Sequence, residues 1–324
     1  MDDCVVTMND VRRCVPPSIC EAGRMDVGIS LSSTTSAPGG RDAARHMVGM
    51  ARAAAAAGLA SLSLGDHHAV GPPAAYFQNT PSLGRLLAEW DDRPAGCLFL
   101  LPQWPPVLAA EQIGTLATFH AGPFVVQTGI GRGRHEFAAL GASPDHRVSV
   151  FEEAVRVVRS LLAGERVTSE RFGFEDVAIG LVPEDPVEWW MGTGSEAGLR
   201  RAARFGAAWY AGPGTSPEDF RRQVAVYREA CADEGVAPRV MLRLDVLVLA
   251  DGARAERLAD GAVARGYRGM QRDQVPAGNP ERVAELLAPW ADAGVDQIVT
   301  RPLGLGAAED LETVELLGEV RTAL

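Results

Sequence analysis

The sequence predicts an α/β fold, a TIM (β/α)8 barrel with insertions after the fourth strand–helix pair and after the seventh strand. Three observations predict it. Apolar runs of strand length alternate with helical patterns eight times across residues 25–324, with no antiparallel hairpin signal. Some of those runs are apolar throughout, as strands buried on both faces of a parallel sheet must be. The residues able to do chemistry fall just after the strands, where such barrels carry their sites.

The elements follow in order. Residues 26–31 form a first strand, followed through a turn by an Ala-rich helix near 41–57 that Gly58 closes. A second strand over 59–65 precedes a helix from Asn79 to Trp90. Cys97-Leu98-Phe99-Leu100-Leu101 is the third strand, stopped by Pro102, with a helix over 106–119 behind it. Strand four, 123–128, runs into a glycine loop, and helix 147–163 carries Phe151, Val155, Val158 and Leu162 at helical spacing. Strand five is 187–191, with helix 196–205. Strand six is 207–211, and Ser216-Pro217 caps the next helix. Strand seven is 240–249, helix 280–293 ends at Gly294, and strand eight, 295–300, leads to a last helix near 309–323. The stretches 164–186 and 251–278 exceed ordinary barrel loops and read as functional or lid-forming. Residues 1–24 lack the pattern of a secretion signal and read as a disordered leader, or as a start codon set too early.

Composition removes several functions. A net charge of −11 disfavours nucleic acid and anionic membranes as partners, and no apolar run reaches the roughly 18 residues of a membrane span. All 31 basic residues are Arg, which excludes lysine Schiff-base chemistry and a P-loop lysine. The five cysteines show no C-x-x-C spacing, pointing to a reduced, cytoplasmic protein without structural zinc.

The loop after strand four, Gln127 to Phe137, reads QTGIGRGRHEF. A dinucleotide fingerprint needs a sixth-position Gly, where Arg134 stands, and an acid at the end of a following strand, where helix begins instead. In a barrel the same loop is a phosphate site: Gly131, Arg132 and Gly133 supply backbone N–H groups and a guanidinium. A second loop, Gly192-Thr193-Gly194-Ser195, opens a helix after strand five and adds a hydroxyl. Each loop alone also reads as an ordinary tight turn; on neighbouring strands the two point to one phosphate. Strand two ends in Gly65-Asp66-His67-His68. Alternation lets only one imidazole face the mouth, which speaks against a two-histidine metal centre; no metal is expected. One histidine then serves as acid, base or hydrogen-bond donor, unless the pair merely finishes a strand.

Between 25 and about 320 these residues resemble the bacterial luciferase-like flavin and deazaflavin oxidoreductases. The resemblance runs from Pro106–Leu116 through Gly129–Gly133, Arg147 with Phe151–Ala154, and Trp190–Ala203, to Gly278–Val283 and Ala293–Asp296. It implies a flavin lying over the barrel, His67 facing it with His68 beside, and Arg132 and Ser195 on the phosphate. It implies further that Asp66 belongs to the cofactor motif, and that the Cys97-Leu98 bond is the non-proline cis peptide which makes room for the ring. Two departures stand out: Pro105-Pro106 replaces a His-Pro pair, and Gly198 replaces a phosphate-contacting hydroxyl. The implied reaction uses reduced FMN from a separate flavin reductase and O2 on a small, largely apolar substrate, with Tyr76, Phe77, Trp104, Trp189 and Trp190 as candidate lining. The alternatives are hydride transfer with the deazaflavin coenzyme F-420, served by a deazaflavin reductase, and a non-catalytic flavin-binding barrel. A homodimer through the Ala-rich stretch Ala51–Ala57 is also implied.

Overall fold

The computed structural model describes residues 25–35, 40–70 and 75–324. The expected leader, with Cys4, Cys14 and Cys20, lies outside the described residues. Eight parallel strands pair in chain order: β1 (Asp26–Leu31), β2 (Leu62–Leu64), β3 (Ala95–Phe99), β4 (Phe124–Thr128), β5 (Glu188–Gly192), β6 (Ala208–Ala211), β7 (Val240–Val248) and β8 (Gln297–Pro302). β8 pairs back onto β1, so the ring closes into a TIM barrel.

Two cores follow from the period-two alternation of the strands. Val27, Ile29 and Leu31 of β1, Cys97 and Phe99 of β3, and Val126 of β4 face outward into the main core beneath the helices. Val125, Trp190, Ala208, Met241 and Val299 form a separate cluster inside the barrel. Trp190 is 1% exposed, and truncating so large a buried side chain to Ala removes about 3–5 kcal/mol of stability. Below that layer, Glu188 Oε1 accepts from Trp190 Nε1 at 2.8 Å and pairs with Arg239, placing a buried ion pair at the amino-terminal end.

The helices sit where the apolar spacing puts them. They are α1 (Gly40–Ala56), α2 (Asn79–Leu86), α3 (Pro106–Phe119), α4 (Arg134–Ala139), α5 (Arg147–Leu162), α6 (Glu196–Arg204), α7 (Pro217–Glu234), α8 (Gly252–Ala264), α9 (Pro280–Leu287) and α10 (Ala307–Ala323). α5 buries Phe151, Val155, Val158 and Leu162. Ser216 caps α7 by accepting from Asp219 N, a contact generally worth about 1 kcal/mol.

Three expectations need correction. The helix read over 280–293 breaks at Leu287, and Pro289, which has no N–H to donate, opens a separate turn of helix. β3 begins at Ala95 and stops at Phe99, two residues earlier than expected, because Leu101–Gln103 turn into a 3-10 helix around Pro102. Antiparallel pairing does occur, in loops: Thr34–Thr35 with Ala75–Tyr76, and Val167–Ser169 with Phe174–Val177 inside the first insertion. These ladders are too short to leave a hydrophobic alternation in the sequence. The second insertion, 249–279, holds α8 and a two-residue strand, Ala277–Gly278, paired with the end of β7.

Candidate active site

Extending the inner layer two residues along each strand gives the ring of side chains at the carboxyl ends: Gln127 on β4, Tyr210 on β6, Arg243 on β7 and Arg301 on β8. β2 ends at Leu64, and Gly65 to His68 continue beyond it as irregular chain.

Asp66 is 1% exposed and committed to protein partners. Its Oδ2 accepts from Leu100 N and from Trp104 Nε1, both at 2.8 Å, locking the β2 end to the loop after β3. Its Oδ1 lies 3.0 Å from His68 Nε2. At this buried position the carboxylate favours the charged form of the imidazole. Burial pulls the His68 pKa down, but the contact and charge of Asp66, helped by Glu136 and Gln78, outweigh it and raise the value. His68 is thus a positioning group against Trp104, whose ring lies 5.5 Å away. A raised histidine contributes stability that is full below the ordinary value of 6.5 and is lost as pH rises through the higher folded-state value. Thermal melts should therefore show the wild type losing stability, relative to His68→Gln, as pH climbs above 6.5. Parallel curves would contradict the pairing.

His67 faces the other way. Its Nε2 lies 3.7 Å from the point where a Cβ on Gly65 would sit, and Arg301 Nη2 lies the same distance from that point. Its ring stands against Tyr76, centroids 4.5 Å apart, and its carbonyl accepts from Gln78 Nε2 at 3.1 Å. Burial and then Arg301 hold its pKa below the ordinary value, against Asp66 and Glu136. The imidazole at the mouth is therefore neutral at neutral pH and able to accept a proton or donate one hydrogen bond.

The two glycine loops are neighbours, because β4 and β5 pair in register up to Thr128 and Met191. Gly131 takes a left-handed φ of 68°, and a Cβ there would stand 2.9 Å from Gln103 Nε2, so only Gly serves this turn. Arg132 is exposed and, among the described residues, makes no ion pair. On the second loop Ser195 caps α6, accepting from Gly198 N at 3.2 Å. A Cβ on Gly198 would meet Thr193 Oγ1 at 1.9 Å and Ser195 Oγ at 3.0 Å. The hydroxyl missing at 198 is thus replaced in space by that of Thr193. Trp209 Nε1 and Gln223 Nε2 donate to the carbonyls of Thr193 and Gly194, which fixes the loop. The hydroxyls of Thr193 and Ser195, the amino end of α6, the backbone at Gly133, Gly192 and Gly194, and the exposed Arg132 guanidinium thus stand on neighbouring loops, and are groups that could hold an anion.

Other expected residues fall elsewhere. Cys97 points outward into the main core, its thiol pushed well up by burial, so only its backbone faces the barrel. Leu98, one residue on, faces inward, and β3–β4 pairing runs unbroken through both. Trp189 packs outside the barrel under Arg159, and Trp190 fills the inner layer, so neither lines the mouth. Sequence reasoning missed Arg243, Asp245, Tyr267, Arg268 and Arg301, which the upper layer and the second insertion bring together. Only Arg243 and Asp245 left a legible signal, as two charged residues at period two inside an otherwise apolar strand, Val240–Val248. Among the described residues, no group of three or more His, Cys, Asp or Glu could hold a metal ion, and no helix is long and apolar enough to cross a membrane.

The sequence profile of the luciferase-like monooxygenases matches residues 25–297. The chain belongs to that family. Among luciferase-like relatives, an FMNH(2)-dependent dimethylsulfone monooxygenase of Pseudomonas putida is 28% identical over 228 residues, 66% of this chain and 61% of that protein. An F420-dependent glucose-6-phosphate dehydrogenase of Microbacterium testaceum is 27% identical over 172 residues, 51% of this chain and 50% of that protein. The chain thus spans about half to three-fifths of the length of these relatives. The fold is shared with the monooxygenase RslO1 of Streptomyces bottropensis, with a TM-score of 0.75 at 20% identity over 91% of this chain and 98% of that one. These luciferase-like relatives are named for dependence on FMNH(2) in one case and on F420 in the other.

Proposed function

We propose that the protein is the oxygenating component of a two-component system, taking reduced FMN from a separate flavin reductase and using O2 on a small organic substrate. One observation carries this reading: the loops after β4 and β5 bring together Arg132, Thr193 and Ser195, a set suited to a phosphate, at the end of the barrel where the segment after β2 carries the neutral imidazole of His67. The P. putida relative, which matches the longer stretch, supports reduced FMN. Arg132, the two hydroxyls and the loop amides would hold the phosphate, and the bound flavin would supply the electrons that activate O2. The chain's own residues do the rest. His67 Nε2 takes or returns a proton at the mouth, Asp66, His68 and Trp104 hold that segment in place, and the Thr34–Thr35/Ala75–Tyr76 ladder with the second insertion restricts water. Stopped-flow mixing tests it: protein saturated anaerobically with reduced FMN should reoxidise in air-saturated buffer with kinetics distinct from free flavin. Unchanged free-flavin kinetics would defeat the proposal.

A second reading, hydride transfer with coenzyme F420 and no use of O2, is favoured by the M. testaceum relative. A cytoplasmic location agrees with the buried free thiols of Cys97 and Cys231. We also propose a homodimer. Part of the Ala-rich stretch is used within the chain, since Ala51 and Ala54 are buried and a Cβ on Gly318 of α10 would come 2.9 Å from the Ala57 carbonyl oxygen. A partner would therefore meet the remaining faces of α1 and its neighbours. Light scattering should give about twice the chain mass of 34.4 kDa, and a value equal to it would refute the dimer.

A further inference from the structure

Three guanidinium groups gather around one carboxylate in the upper layer of the barrel. Arg243 reaches Asp245, two residues along β7, at 2.9 Å. The second insertion adds Tyr267, whose hydroxyl donates to Asp245 Oδ2 at 3.0 Å, and Arg268, whose Nε lies 3.5 Å from the same oxygen. Arg301 stands beside Asp245 in register on β8. Asp245 is fully buried and Arg301 is 5% exposed. The Arg301 guanidinium makes one hydrogen bond among the described residues, to the Leu31 carbonyl at 3.3 Å, and its Nε has no partner.

The charges do not balance. Arg243, Arg268 and Arg301 carry three positive charges against the single negative charge of Asp245, which leaves two in excess. Beside Arg301, His67 is held below its ordinary value and Tyr210 and Tyr267 above theirs, so all three are neutral at neutral pH. The carboxylates of Asp66 and Glu136 act on His67, and Asp66 is already engaged by Leu100 N, Trp104 and His68. Burial, with Arg243 and Arg268, lowers the Arg301 pKa to about 10, so it remains a cation. A buried cation with unused donors is costly to keep unless something completes it. The cofactor phosphate is poorly placed to do so. Around the eight-stranded ring β8 lies four strands from β4 and three from β5, so Arg301 stands across the mouth from the two glycine loops.

We propose that Arg301, with Arg243 and Arg268, binds a carboxylate or sulfonate group of the substrate. The substrate is then an amphiphilic organic acid, with its apolar body against Leu98 and Tyr76 and its charged end on β7 and β8. This inference rests on the reading of the barrel mouth as the reaction site, and it adds a charged end to the small, largely apolar substrate expected from the sequence.

The test uses octanoate, octane-1-sulfonate and octan-1-ol as probes, titrated into the cofactor-free protein while tryptophan fluorescence is followed. Either anion should bind at least tenfold more tightly than the alcohol. Arg301→Gln should remove that preference and leave the alcohol unchanged. Arg243→Gln should reduce it, and carries the test if Arg301→Gln fails to fold. Equal binding of acid and alcohol, or an undiminished preference in a folded variant, overturns the proposal. A second arm compares oxidised with reduced FMN. If Arg301→Gln weakens only the reduced form while the preference for octanoate persists, the anion is the reduced ring and the substrate assignment fails. If the preference is present but no flavin or deazaflavin binds, the anion site stands and the proposed oxidoreductase reaction falls.

Discussion

His67→Ala should slow the single-turnover reaction by about 10²–10⁴-fold while leaving cofactor affinity within about threefold. The size follows from what a correctly placed proton-transfer group contributes, and the unchanged affinity from the position of the proposed phosphate site, which follows other strands. Reduced cofactor is supplied directly, so that delivery by a reductase cannot mask the chemistry. Because burial and Arg301 hold the imidazole below its ordinary pKa of 6.5, the reactive neutral form persists into mildly acidic solution. The acid limb of the rate profile should thus lie below pH 6.5 and vanish in the variant. His68→Ala should cost less rate and more stability, since His68 meets Asp66 and Trp104 rather than the mouth. A silent His67→Ala beside a damaging His68→Ala would reverse these roles.

The second large effect concerns the proposed phosphate site. Arg132→Ala should weaken FMN binding by about 1.5–3 kcal/mol, the range of a hydrogen bond to a charged group. Arg132 has no ion pair to lose among the described residues, so the substitution should leave the melting temperature nearly unchanged. Riboflavin, which has no phosphate, should bind wild type and variant alike. If both ligands weaken equally, Arg132 does not contact the phosphate.

Much of the fold was legible because a parallel barrel writes its plan locally. Each strand is a short apolar run, each helix has a 3.6-residue stripe, and caps such as Ser216-Pro217 mark the boundaries. The errors have the same origin. Ala95 and Gly96 fell outside the expected third strand, yet they pair with Phe124 and Val125, because a tertiary partner overrides weak local preference. The site was legible where a motif is contiguous, as in the two glycine loops and Asp66-His67-His68. Which atoms those residues touch was not, since Asp66 turns inward onto Leu100 and Trp104, 34 and 38 residues away. Of the arginine cluster, Arg243 and Asp245 left a signal on one strand, but their meeting with Arg268 and Arg301 left none, because those residues come from separate segments that only barrel closure and the second insertion bring together.

The central claim, a reduced-FMN reaction at this barrel mouth, is tested most directly by one anaerobic titration series that follows fluorescence with FMN, reduced FMN and coenzyme F420 in the same buffer. The account predicts saturable binding of reduced FMN at least tenfold tighter than that of the deazaflavin. Binding of coenzyme F420 without reduced FMN would contradict it and assign hydride transfer instead, and binding of none of the three would remove the cofactor from this barrel altogether.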